Sequence, residues 1–152
     1  MEIAGHPRQC AREPHQDQGH VMASGRGKVR LLFRDQEALV IVDAATTQTR
    51  VLKKFISAHM KREAAAIRPW YGPFEVRIWT SVMADKRGAH DVDNVAKAVL
   101  DSLSGYFWRD DRQVVRLTSE RFAADANRIA IRVRPLEGSL DAQPLDETLF
   151  DL

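Results

Sequence analysis

The spacing of hydrophobic residues changes from a helical to a strand-like period and back along this chain, which restricts it to a mixed fold. Residues 94–104 carry Val95, Val99 and Leu103 four positions apart, the pattern of a helix with one apolar side. Residues 74–82 alternate apolar and polar side chains, as a half-buried strand does. The sequence thus predicts a strand over 39–42, a helix over 46–67, a strand over 74–82, a helix over 94–104, and strands from 114 and over 128–134.

This order of elements predicts an α/β (α+β mixed) fold, in which a small mixed β-sheet packs with two main helices. A hairpin turn is expected at residues 125–127, between the last two strands. The 152 residues, of which 44% are hydrophobic, are enough for one domain with a core. We expect a flexible N-terminal arm over 1–27, the folded domain over 28–136 and an acidic C-terminal tail over 137–152.

Cysteine and hydropathy patterns indicate a cytoplasmic protein. The single cysteine excludes an intramolecular disulfide framework. No stretch is long and apolar enough to predict a membrane span or a signal peptide. In the N-terminal arm, His6, Cys10, His15 and His20 are residue types that zinc accepts, but their spacing matches no tight zinc pattern.

The formal charge of +2 conceals a strong asymmetry along the chain. Residues 137–152 hold five acidic residues and no Lys or Arg. All 23 basic residues and 16 of the 21 acidic ones therefore lie in residues 1–136, which carry a net charge of +7. Such a body is expected to bind a polyanion such as a nucleic acid.

Five aspartates lie close together in the sequence around one lysine, which predicts a site for a divalent metal ion. They are Asp91, Asp93, Asp101, Asp110 and Asp111, with Lys97 between them. Asp91 and Asp93 would share one side of an extended segment, and Asp93 is the candidate N-cap of the following helix. Hard cations such as Mg²⁺ prefer oxygen ligands of this kind. A turn at Gly105 would return the second aspartate pair to the start of the helix.

A structural interpretation of the same residues stays open from the pattern alone. Asp93, Lys97 and Asp101 follow one another at four-residue spacing, so Lys97 and Asp101 would form an ordinary surface ion pair. Asp93 would then only cap the helix. Asp110 and Asp111 would belong to a solvated turn.

Residues 91–114 carry a motif that resembles the RusA family of Holliday-junction resolvases. The motif is D-x-D-N-x-x-K-x-x-x-D-x-L followed by F-W-x-D-D-x-Q-V. The resemblance implies a homodimeric, Mg²⁺-dependent endonuclease of mixed α/β fold, with Mn²⁺ as a substitute ion. It also implies that the substrate is a four-way DNA junction, cut by paired symmetrical nicks during recombination and repair. Such proteins are encoded by bacteria, prophages or phages.

Matched position by position, the resemblance assigns roles to eight polar residues. Asp91, Asp93 and Asp111 correspond to the metal-binding acids, and Lys97 corresponds to the catalytic lysine. Supporting roles next to the metal, at a helix cap or on DNA fall to Asn94, Asp101, Asp110 and Gln113. Phe107 and Trp108 are expected to be buried and to fix the acidic turn.

The predicted helix over 46–67 has a basic side that favours contacts with DNA phosphates. Its cations are Arg50, Lys53, Lys54, Lys61 and Arg62, and Lys86 and Arg87 in the loop before Asp91 add two more. A solvated lysine face is the alternative.

Two other functions also remain open: a non-catalytic protein that binds branched DNA, and a flap or branched-DNA endonuclease with the same metal site.

Overall fold

Six strands form one mixed sheet, and both helices pack against the same face of it. The computed structural model describes residues 22–24, 29–43, 49–63, 67–83, 91–138 and 145–151. The strands are β1 (Met22–Ser24), β2 (Val29–Arg34), β3 (Glu37–Val42), β4 (Phe74–Met83), β5 (Val114–Ala124) and β6 (Arg128–Pro135), and the helices are α1 (Thr49–Glu63) and α2 (Val92–Leu103). Short 3₁₀ helices cover Asp111–Gln113 and Glu147–Asp151. The predicted mixed α+β class is confirmed.

The strand order across the sheet is β1-β2-β3-β6-β4-β5. Every neighbouring pair is antiparallel except β4 and β5, which are parallel and are connected by α2. β6 is the last of the described strands in chain order but lies in the interior of the sheet, between β3 and β4. β5 therefore forms one edge of the sheet.

The β2–β3 hairpin extends the sheet beyond the single strand predicted over 39–42. β3 is longer than expected, and β2 pairs with it from Val29 opposite Val42 to Arg34 opposite Glu37. Asp35 has a positive φ of 54° in the two-residue turn, a conformation that Asp tolerates better than most residues. β1 lies within the arm predicted over 1–27 and pairs with β2.

The core lies between the helices and one face of the sheet. Alternate residues of four strands point into it, with Leu31, Val40, Ile78 and Ile131 fully buried. Its helical side is formed by Leu52, Ile56 and Met60 from α1 and by Val95, Val99 and Leu103 from α2. The apolar stripe predicted for residues 94–104 is thus confirmed. Full burial of each large aliphatic side chain stabilises the fold by about 1.5–3 kcal/mol relative to its exposed state.

The prediction of a hairpin turn at residues 125–127 was wrong. β5 and β6 follow one another in the chain but are not neighbours, because β4 lies between them. The connection crosses the end of β4, where the Ser81 hydroxyl donates to the Ala126 carbonyl at 2.7 Å. The Asn127 side-chain carbonyl accepts from the Met83 backbone N–H at 2.9 Å. β5 and β6 each form a ladder with β4 in place of the ladder that a hairpin would have formed between them.

Arginines and acids occupy the other face of the sheet. Glu75, which the alternation predicted to be on the outer side of β4, is only 6% exposed there. Arg134 donates to it at 3.0 Å, Arg77 lies at 3.3 Å and Arg116 at 3.8 Å. These three residues come from three neighbouring strands, so one carboxylate connects β4, β5 and β6.

Candidate active site

The first turn of α2 presents two carboxylates. The helix begins at Val92, and Asp91 is its N-cap residue in extended conformation, without a side-chain capping bond. Asp93 therefore lies inside the first turn, and its assignment as N-cap was wrong. The Asp93 carboxylate accepts from the Asn94 backbone N–H at 2.8 Å, and the Asn94 amide donates to Asp91 at 3.4 Å. Asn94 thus contacts both acids.

Both carboxylates are available to a cation. Asp91 and Asp93 are exposed, and within the described ranges neither forms an ion pair with Lys or Arg. The positive end of the helix dipole favours negative charge at this position. Two exposed carboxylates without cationic partners are the kind of oxygen donors that Mg²⁺ accepts.

Lys97 lies one helical turn after Asp93 and is exposed. In the part of the chain that the structure describes, its ammonium forms no ion pair. The sequence left open a surface ion pair between Lys97 and Asp101. Among the described residues this pair does not form, and Asp101 pairs with Lys53 of α1 instead. Within the described ranges, Lys97 is therefore a cation one helical turn from Asp93 that remains available for a substrate.

The second aspartate pair lies on a 3₁₀ turn that is held by side-chain hydrogen bonds. The Asp110 carboxylate accepts from the Arg112 backbone N–H at 2.9 Å and from its guanidinium at 3.0 and 2.7 Å. The hydrogen bond from the Arg112 side chain is the main reason that the pKa of Asp110 lies well below its usual range. Asp110 is therefore a cap of the turn, and Asp111 after it is exposed.

Gln113 connects the 3₁₀ turn to the segment before β4. Its carbonyl oxygen accepts from the backbone N–H groups of Arg109 at 2.9 Å and Asp110 at 3.2 Å. Its amide donates to the carbonyls of Trp70 at 2.8 Å and Gly72 at 3.0 Å. One side chain thus satisfies four backbone groups and fixes the position of the turn that carries Asp111.

The aromatic residues before this turn are buried, as the sequence predicted. Trp108 is fully buried and Phe107 is 7% exposed. The Trp108 ring packs on Phe74, with ring centroids 5.5 Å apart. The Trp70 backbone N–H donates to the Phe107 carbonyl at 2.8 Å, which ties the segment to the region before β4.

Within one chain, Asp111 does not lie beside Asp91 and Asp93. The Ser119 hydroxyl donates to the Val92 carbonyl at 3.1 Å, so α2 begins level with the middle of β5. Asp111 precedes Val114, the first residue of β5, and a strand of five residues to Ser119 spans about 16 Å. The turn at Gly105 returns the chain at the C-terminal end of α2, not at its start as predicted. Among the described residues, no three His, Cys, Asp or Glu side chains are grouped closely enough to hold a metal ion.

The basic side predicted for residues 46–67 is largely exposed on α1. Arg50, Lys54, Lys61 and Arg62 are exposed, whereas Lys53 is half-buried and engaged with Asp101. Lys86 and Arg87 lie outside the described residues, as do the four candidate zinc ligands of the arm. No helix in the described ranges is long and apolar enough to cross a membrane.

The structure therefore combines a mixed sheet, an exposed carboxylate pair beside a lysine and a basic helix, groups that suit metal-assisted hydrolysis of a phosphodiester in a nucleic acid. The family model of the endodeoxyribonuclease RusA matches residues 19–134. The chain belongs to the RusA family of endodeoxyribonucleases. Membership implies activity on Holliday junctions. A comparison with curated protein sequences found no match.

The family match covers more of the chain than the motif alone. The motif lies within residues 91–114, whereas the match includes the β2–β3 hairpin, α1 and most of β6. The sequence analysis also did not predict that Glu75 is buried among arginines of three strands. The arginines of residues 128–134 were a signal for acidic partners on the neighbouring strands, since Glu75 of β4 pairs with Arg134 and Glu37 of β3 pairs with Arg132.

Proposed function

We propose that this endodeoxyribonuclease is a Mg²⁺-dependent resolvase that cuts four-way DNA junctions by paired symmetrical nicks in recombination and repair. Mn²⁺ is the expected substitute, and the bacterial cytoplasm is the expected site of action. The observation that carries the proposal is the exposed pair Asp91 and Asp93, one helical turn before an available Lys97, in a chain of the RusA family.

The donor set fits a hard divalent cation. Asp91 and Asp93 supply carboxylate oxygens, and Asn94 orients them by its two contacts. A Mg²⁺ ion held there would stabilise negative charge on a phosphate and activate a water molecule. Lys97 is placed to stabilise the charge that develops on the scissile phosphate. These assignments agree with the roles that the resemblance implies.

Asp111 is proposed to complete the site from a second subunit. In its own chain it lies at the opposite end of α2 from Asp91, too far away to share an ion with it. In a homodimer with two-fold symmetry, Asp111 of each subunit would meet the Asp91 end of the other subunit. Symmetry then gives two such sites per dimer. Two composite sites on one dimer would also match the two strands that are nicked in a junction.

The exposed cations of α1 are proposed to contact DNA phosphates. Arg50, Lys54, Lys61 and Arg62 offer positive charge without specific base readout, which suits a protein that recognises the shape of a junction. Lys53 has a different role, because its ammonium holds Asp101 and thereby connects the two helices. Lys86 and Arg87 lie outside the described residues, and their contact with DNA stays a prediction from the sequence.

Cleavage of a mobile four-way junction, of a flap and of a matched linear duplex tests the proposal. Wild type and Asp91→Asn are compared with Mg²⁺, at protein concentrations that give equal junction binding. We expect paired nicks in the junction alone, and no nicks with the variant. Junction binding without cleavage by wild type under any divalent ion would make the chain a binding protein. Equal cleavage of flaps and junctions would make it a general branched-DNA nuclease.

A further inference from the structure

Two aromatic side chains lie exposed and next to each other in the segment before β4. Trp70 is 57% exposed and Tyr71 is 72% exposed. Neither ring belongs to the core of the domain, so packing does not explain their size. Adjacent apolar groups that stay in solvent mark an interaction site more often than isolated ones do. The two rings therefore indicate a ligand.

The backbone that carries the two rings is held in place at several points. Pro69 and Pro73 flank the segment and restrict its backbone angles. The Trp70 backbone N–H donates to the Phe107 carbonyl at 2.8 Å, and the Gln113 amide donates to the Trp70 carbonyl at 2.8 Å. Side chains presented by a fixed backbone lose less conformational entropy when a ligand binds.

Gly72 holds the Trp70 ring in its position. The indole lies so close to the Gly72 backbone that a Cβ at this residue would collide with the indole nitrogen. A side chain at this position would therefore displace the ring. The contact fixes one edge of the indole, and more than half of the Trp70 surface still faces solvent.

Positive charge accompanies the aromatic rings. The Arg109 guanidinium lies 4.4 Å from the centroid of the Tyr71 ring, and Arg68, two residues before Trp70, is exposed. The Asp110 carboxylate next to Arg109 is paired with Arg112 at 2.7 Å. Exposed aromatic rings beside arginines are the combination that binds single-stranded nucleic acid, since bases stack on the rings and phosphates contact the cations.

We propose that Trp70 and Tyr71 form a stacking platform for an unpaired nucleobase of DNA. The platform adjoins the 3₁₀ turn that carries Asp111, because Gln113 of this turn donates to the carbonyls of Trp70 and Gly72. A base on the platform is therefore close to one of the proposed metal-binding acids. The inference deepens the proposed function and rests on it only for the source of the base.

A branched DNA substrate supplies such a base at low cost. A base at the branch point of an open junction has lost a stacked neighbour, so it leaves the helix more easily than a base inside a duplex. A second copy of this chain is a poorer occupant of the platform. Two-fold contact between two platforms would bring the same arginines together, and like charges repel across an interface.

Equilibrium binding of single-stranded DNA tests the platform in the full chain. The probe is a fluorescein-labelled oligothymidylate of about ten nucleotides, without divalent ions, so that nothing is cleaved. We expect Trp70→Ala and Tyr71→Ala each to bind it about tenfold more weakly than wild type, with unchanged circular dichroism spectra. Phe150→Ala is the matched control, because it removes an aromatic ring that is 93% exposed outside the platform. It should bind like wild type.

Tryptophan emission gives a second readout that a purely structural role would not change. Stacking of a thymine on the Trp70 indole quenches its emission, so the oligonucleotide should quench wild type. Trp70→Phe keeps an aromatic ring, and we expect it to retain most of the affinity and to lose most of the quenching.

Three results would overturn the platform. They are a wild type that does not bind the oligonucleotide, folded alanine variants that bind it like wild type, and variants that lose only self-association in sedimentation. The last result would assign the rings to contact between copies. None of these measurements needs cleavage. A protein that binds through Trp70 and cuts no junction would refute the proposed function and leave the platform intact.

Discussion

The Ser119 hydroxyl in the middle of β5 holds the Val92 carbonyl at the start of α2, at 3.1 Å. This bond sets α2 against the strand so that its first turn points toward the carboxyl end of β5. The 3₁₀ turn with Asp111 precedes the opposite end of the same strand. The acids of the motif therefore belong to two separate regions of one subunit.

A subunit-mixing experiment tests whether the site is shared between subunits. Asp91→Asn and Asp111→Asn are each expected to be inactive. In a mixed dimer, one composite site carries both lesions and the other carries none, so mixing is expected to restore single nicks in the junction. Denaturing gels of end-labelled junctions measure this. Mixtures that stay inactive, although exchange of subunits is verified, would place all three acids in one subunit.

Lys97→Ala is expected to lower the cleavage rate at saturating protein by about 10²–10³-fold, the size typical of losing one group that stabilises transition-state charge. Junction binding should change little, because a single cation contributes a small part of the total phosphate contacts. Lys97→Arg should recover part of the rate, since it keeps the charge. A variant that loses affinity and keeps its saturating rate would assign Lys97 to binding alone.

Two exposed cations of α1 are expected to contribute to the salt dependence of DNA binding. Lys61→Ala together with Arg62→Ala should reduce the slope of log affinity against log salt concentration by about 1.8 if both contact duplex phosphates. Equilibrium binding to a junction at several salt concentrations gives the slope. Glu63→Gln on the same exposed turn is the matched control. An unchanged slope would make this part of α1 a solvated face.

Gln113→Ala is expected to destabilise the protein by about 1–3 kcal/mol, because the backbone carbonyls of Trp70 and Gly72 and two N–H groups lose their partner. Urea unfolding measures the free energy. Arg112→Ala is the control, since its side chain is 88% exposed and its loss should destabilise the protein much less than the loss of Gln113. Equal effects of the two substitutions would show that Gln113 does not fix the turn.

His59 of α1 is expected to make stability depend on pH. Its side chain is 2% exposed, and burial lowers its pKa below the ordinary value of 6.5. Because the unfolded chain takes up the proton more readily, stability is full above pH 6.5 and falls as the pH drops toward the folded pKa. His59→Phe removes the imidazole that takes up this proton. Unfolding free energies of both proteins from pH 8 to about pH 5 should therefore diverge below pH 6.5, and parallel curves would contradict the prediction.

Local periodicity was sufficient for the elements that carry their own pattern. The stripe of Val95, Val99 and Leu103 and the alternation in β4 are properties of short segments, and both are confirmed. Burial of Phe107 and Trp108 followed from their size. The position of Asp91 relative to Asp111 did not follow, because it depends on where α2 lies against β5.

Pairings between distant segments also could not be inferred. Lys53 and Asp101 are 48 positions apart, and only the packing of α1 on α2 brings them together. Glu75 is buried beside arginines from β5 and β6 as well as one from its own strand, β4. The sequence predicted two consecutive strands joined by a turn at residues 125–127. Nothing in that short segment indicated that β4 would lie between the two strands.

The interior place of β6 has a consequence for biosynthesis. β3 and β4 have no ladder with each other, and each pairs with β6, which ends at Pro135. The sheet therefore remains in two halves on the ribosome until β6 has left the exit tunnel. Nascent chains that stop before residue 128 should expose the edges of both halves to chaperones and proteases, so the domain matures only after β6 has been translated.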